Sequence, residues 1–248
     1  MQAEAIIVVS IHSLKIPTKL MDIQGKIYPA DERGLTETSI VKRHSTFNFE
    51  KYYHKDKVAS GALFICNDEY IAGGKLSFFL SREDSHQLFF PVTGRLDIVQ
   101  NGKAFSIETG QVQVLNAGKG EVLEISNPYS NNLVNYLQIG LTTDLFLLRA
   151  GEMCFNFDFE KYPNQLTEII SSTKLPFKLS TGIFTRQEEI TYPLQNPENK
   201  FFCFIIDGAF EVEGRQLHAR DSLALWNVEQ VKWSALSNHA IILILAHL

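Results

Sequence analysis

The side chains able to do chemistry are few and scattered. The seven histidines form no HxH or HExxH pattern, and there is no Walker loop, Rossmann glycine fingerprint or GxSxG elbow. Cys66, Cys154 and Cys203 are widely spaced without a CxxC pair, so neither a zinc finger nor a thioredoxin-type centre is expected. Cys66 and Cys203 sit in apolar runs, the setting of inert buried thiols, and three free thiols suit a reducing cytoplasm. The densest group of titratable residues is SREDSH (81–86), with Glu121 farther along. Regular strand alternation places residues 80, 82, 84 and 86 on one face, and 121, 123 and 125 on one face. His44, His218 and His239 stand alone, without converging partners, and read as structural or surface residues. The aromatic run Phe47, Phe49, Tyr52 and Tyr53 reads as core or the lining of a pocket mouth.

The elements that must position these residues are strands. Short β-branched and aromatic runs alternate with Gly, Asn and Asp turns, as in the hairpin signal Asn101-Gly102. The best helical candidate is Asn164 to Ser172, and its Ile169-Ile170-Ser171-Ser172 end reads equally well as a strand. HQLFFPVTGRLDIV (86–99) and KFFCFIIDGAFEVE (200–213) share one pattern, and two later segment pairs follow in the same order. The common offset of roughly 110 residues exceeds a solenoid repeat and indicates a duplicated β module. Two such units suit jelly rolls or small barrels.

Composition sets the class. The 248 residues are 45% hydrophobic and 21% charged, which is globular and excludes a disordered or disulfide-stapled chain. With 23 basic and 28 acidic residues, the net charge of −5 disfavours nucleic acid or an anionic membrane as a direct partner. The apolar runs Ala5–Val9 and 241–246 are too short for a signal peptide or a membrane span and read as strands. Residues 1–20 are expected to be an extension, 21–148 the first domain and 149–248 the second, in a cytoplasmic protein.

The segments GKIYPADERG (25–34), RHSTFNFEKYY (43–53), GALFICNDEYIAGG (61–74), FFPVTGRLDIV (89–99), ETGQVQVLNAGKGE (108–121), SNPYS (126–130) and NYLQIGL (135–141) together resemble the pirin family of bicupins. That family includes pirin-like quercetin dioxygenases. The resemblance implies an all-β bicupin of two tandem antiparallel β-sandwich (jelly-roll) domains. It also implies a metal held in the first cupin by an HxH pair and a later His and Glu. Counting along the motifs, those positions fall on Leu80, Arg82, Leu123 and Ile125, so the ligand set is degenerate. Leucine and isoleucine have no donor atom and a guanidinium repels a cation. The equivalent positions of the second module, Leu194 and Asn196, with no His near Val231, offer no substitute.

Arg82, Asp84, His86 and Glu121 are then the cavity candidates, on the assumption that both strands are regular. Three readings stand: a polar loop and a solvated Glu121, an Arg-lined pocket for a small anionic or polar ligand, or a metal site rebuilt around His86 and Glu121. The favoured expectation is a metal-independent small-ligand-sensing or protein-interaction module. It has no cofactor and no catalytic residues, and is not the family's metal-dependent dioxygenase. The alternative is a quercetinase-like cupin dioxygenase using the rebuilt site.

Overall fold

A computed structural model describes residues 23–144, 148, 152–171, 175–186, 189–194 and 200–247. The expected extension 1–20 and its Ala5–Val9 strand lie outside these residues. The described chain begins with β1 (Gln24–Tyr28), a 3-10 turn (Ala30–Glu32), β2 (Gly34–Glu37), β3 (Val41–Ser45), β4 (Leu63–Ile71), β5 (Leu76–Leu80) and β6 (Ser85–Thr93). It continues through β7 (Leu96–Gln100), β8 (Lys103–Ile107), β9 (Gln111–Ala117), β10 (Val122–Ser126), β11 (Val134–Thr142) and β12 (Met153–Asn156). Then follow β13 (Thr167–Ile170), β14 (Phe177–Phe184), β15 (Ile190–Pro193), β16 (Phe201–Asp207) and β17 (Ala209–Val212). The last are β18 (Arg215–His218), β19 (Ser222–Trp226), β20 (Gln230–Ala235) and β21 (Ala240–His247). Within the helical candidate Asn164–Ser172, Thr167–Ile170 forms strand β13, and Ser172 lies outside the described residues. Among the described residues, no helix is long and apolar enough to cross a membrane.

Two sandwiches result. The first pairs the seven-stranded sheet β12-β9-β6-β11-β4-β3-β2 with the four-stranded sheet β5-β10-β7-β8. The second pairs the six-stranded sheet β1-β19-β16-β21-β14-β13 with β15-β20-β17-β18. The duplication is visible in the turns. Asn101 and Gly102, at φ 51° and 78°, correspond to Glu213 and Gly214, at φ 48° and 71°. Positive φ at both central positions is what a type I′ hairpin requires.

The modules exchange strands across the boundary expected at residues 148/149. Strand β1 pairs with β19 of the second module, Gln24 opposite Trp226 through Tyr28 opposite Ser222. In return β12 pairs with β9 of the first, Met153 opposite Val114. Each exchanged strand covers a sheet edge that would otherwise expose unpaired backbone groups.

Burial explains the apolar runs. Along β6, Phe89 enters the first sandwich, while Leu88 and Phe90 join a cluster shared by both modules. Along β16, Phe201, Cys203 and Ile205 fill the second sandwich, while Phe202, Phe204 and Ile206 enter the shared cluster. A strand buried on both faces cannot alternate polar with apolar residues. The two large sheets therefore face each other across a common core.

Candidate functional site

The strand regularity on which the four-residue cavity depended fails at the SRED turn. Strand β5 ends at Leu80 and β6 begins only at Ser85. Between them the Ser81 hydroxyl donates to the Glu83 carbonyl at 2.7 Å. Leu80 lies opposite Val122, and both side chains are exposed. The inward position on β5 is Phe79, opposite Leu123, and both are buried. Leu123 and Ile125 thus belong to the first sandwich's core, whereas Leu80 and Arg82 are exposed.

The structure does not bring Arg82, Asp84, His86 and Glu121 together. His86 is buried in the seam between modules, its Nδ1 2.7 Å from Asn116 Oδ1 and its ring 5.9 Å from that of Phe177. Burial lowers its pKa, with the Asn116 contact opposing. Asp84 uses Oδ1 to accept from the Lys119 backbone N–H at 2.8 Å, which fastens the Gly118–Gly120 turn. The Glu121 carboxylate accepts from Gln100 Nε2 at 2.8 Å, in a surface cavity of about 350 Å³ that includes Lys103 and Glu152. Arg82 lies elsewhere, at the mouth of the first sandwich. Among the described residues no three His, Cys, Asp or Glu side chains are placed to hold a metal ion. The donor chemistry at Leu80, Arg82, Leu123 and Ile125 does not fit an iron-type ion, which needs imidazole and carboxylate ligands.

Arg82 does border a cavity. It has a volume of about 220 Å³, and its walls include Phe49, Phe64, Ile65, Phe79 and Leu80, with Arg82, Glu50 and Glu83 among its polar groups. The Phe49 and Phe79 rings stack at 6.3 Å with planes 10° apart. Arg43 braces this wall, its guanidinium 4.6 Å from the Phe49 ring centre. It donates to both oxygens of buried Glu69, at 2.7 and 3.2 Å, and to Glu50 at 2.9 Å. Tyr136 completes the cluster by donating to Glu69 at 2.9 Å, and burial raises its phenol well above the ordinary range. These interior charges were not singled out in the sequence, although the break in apolarity at Asn67-Asp68-Glu69 inside a β strand is their signal.

The aromatic run divides along its length. Phe47 is core, Phe49 lines the cavity, and Tyr53 is exposed. In the second module Val231 and Trp233 are core. Leu194 is half-buried against that core, and Asn196 lies outside the described residues. His218 is exposed, and His239 occupies a turn with φ 58°. Cys66 and Cys203 are buried, their thiols pushed up to about 12 by desolvation, as inert thiols should be; Cys154 is exposed.

Comparison with known proteins supports this architecture. Residues 176–245 match the quercetinase C-terminal cupin domain family. No curated protein matches the chain. The bacterial pirin YhhW from Escherichia coli, solved with nickel(II), superposes with a TM-score of 0.78 at 18% identity, covering 90% of this chain and 99% of that one. Quercetin 2,3-dioxygenase from Acinetobacter baumannii gives 0.67 at 14% identity, covering 91% and 78%. The protein YhaK from Escherichia coli gives 0.66 at 15%, covering 82% and 92%. Together with the strand order described above, these likenesses establish the fold as a pirin-like bicupin.

Proposed function

We propose that this pirin-like bicupin is a metal-independent ligand-sensing module that takes a small aromatic or polar anion at the mouth of its first sandwich. The observation that carries this reading is the cavity itself: stacked phenyl rings form its wall and Arg82 stands at its rim. A carboxylate there meets a guanidinium that can donate two parallel hydrogen bonds, while the rings receive an apolar body. Glu50 is already engaged by Arg43, which leaves Arg82 and Glu83 as the rim charges. Leu123 and Ile125 in the core supply no metal ligand, so the binding relies on shape and charge.

The test combines elemental analysis of purified protein with thermal-shift measurements against benzoate, salicylate and neutral phenol. The expected result is no stoichiometric iron, nickel, manganese, copper or zinc, and stabilisation by the carboxylates over phenol. Arg82→Ala should weaken that binding about 10-fold, the value of one charged hydrogen-bond partner. One bound metal ion per chain, or carboxylate binding unaffected by Arg82→Ala, overturns the proposal. Quercetin incubated with added divalent metals should not turn over. Turnover abolished by His86→Ala would instead support the dioxygenase reading.

A further inference from the structure

We propose that the outer edge of β5 is a self-association surface, where two copies of the chain join antiparallel about a two-fold axis at Phe78. This inference stands on the strand's geometry and does not depend on the ligand cavity.

Among the described residues, strand β5 ends its sheet, with β10 its one neighbour there. Beyond the ladder itself, Asn127 N–H donates to the Lys75 carbonyl at 3.0 Å and Ser81 N–H to the Glu121 carbonyl at 2.9 Å. Odd-numbered residues therefore bond toward β10, and antiparallel alternation turns the N–H and C=O groups of Leu76, Phe78 and Leu80 toward the open edge. The same three residues expose their side chains, at 40%, 57% and 52%. Val122, beside Leu80 on β10, extends the stripe at 45% exposure.

The spacing is self-complementary. An antiparallel copy centred on Phe78 sets Leu76 against the second copy's Leu80 and Phe78 against its counterpart. Every outward backbone group on these residues then finds a partner, and the apolar stripes merge. The ends agree in charge, since Lys75 precedes the strand while Arg82, Glu83 and Asp84 follow it with a net negative charge. Antiparallel pairing brings each basic end to the other copy's acidic end.

The duplicated module supplies the contrast. Its counterpart, β15, pairs with β20 through Ile190 and Tyr192 opposite Trp233 and Val231, and Leu194 N–H continues that bonding to Glu229. The edge there falls to Thr191 and Pro193, and proline has no N–H to offer. Several other edge strands among the described residues carry a charge, such as Glu37 on β2, Lys103 on β8, Glu168 on β13 and Arg215 on β18, although the short β12 (Met153–Asn156) does not. Charge and proline are how sheets resist edge pairing. On β5, with neither and an apolar outward face, that resistance is missing.

The experiment is sedimentation velocity on the full chain across the micromolar range, with Phe78→Lys and Phe78→Thr. The unmodified chain should sediment as a dimer. Each variant should raise the dissociation constant at least about 10-fold while keeping its β circular-dichroism spectrum. Phe78→Thr is a strand-compatible change and decides the outcome should the lysine variant misfold. A monomeric unmodified chain at hundred-micromolar concentration, or a dimer indifferent to Phe78→Thr, overturns the proposal.

Discussion

His86 illustrates how placement changes the meaning of a residue. In the sequence it was a candidate ligand of a rebuilt metal site; in the fold it faces Phe177 across the seam. Its Nε2 is buried without a hydrogen-bond partner, so a proton there would place an imidazolium in an apolar core. The unfolded chain takes up that proton near the ordinary value of 6.5, whereas the folded chain resists it. Stability from this group is therefore present above 6.5 and lost as pH falls toward the lowered folded value. His86→Gln should flatten the loss of stability between about pH 7 and pH 5, read from urea midpoints at each pH. His44, also lowered by burial and by Arg33, keeps its own contribution in both proteins. An unchanged pH slope in the variant would refute the assignment.

At the scale of elements, the exchanged strand β1 rests on a close approach. A side chain at Gly25 would strike Leu225 on β19, so this glycine lets the strands meet. Gly25→Val should cost about 1–3 kcal/mol, seen as a lower denaturant midpoint, and an unaltered midpoint would show that β1 contributes little. Much of the element plan was legible in advance. The Asn101-Gly102 turn, the duplicated FF-containing strands and the C-terminal strand all have local signals. The exchange was not, because no local feature of GKIY distinguishes a strand pairing nearby from one pairing with Ser222–Trp226. The four-residue cavity depended on a related assumption. Alternation was extended through Ser81–Asp84, where side-chain-to-backbone bonding makes a turn instead.

For the whole molecule, the shared core and a buried ion cluster join the two modules, from which one cooperative unfolding unit is expected. Asp68 accepts from Arg33 at 3.3 Å, from Arg220 of the second module at 3.1 Å and from Asn135 at 2.7 Å. The side chains of Asp68 and Arg33 are both buried, so Asp68→Ala leaves cationic groups without their counter-charge, at a cost of about 3–5 kcal/mol. Both modules should still melt together. Calorimetry should record one transition before and after the substitution, shifted to lower temperature, and two resolved transitions in the unmodified chain would contradict the common core.

The exchange of β1 also sets a schedule for the protein's birth. Tyr28 leaves the ribosome long before its partner Ser222 is made. At the usual 5–20 residues per second, the leading strand waits about 10–40 s for its place. During that interval the first sandwich can assemble apart from β12, while β1 trails as an unpaired tail exposed to chaperones and proteases. Completion of the second sandwich is what finally gives β1, the earliest strand among the described residues, its backbone partner.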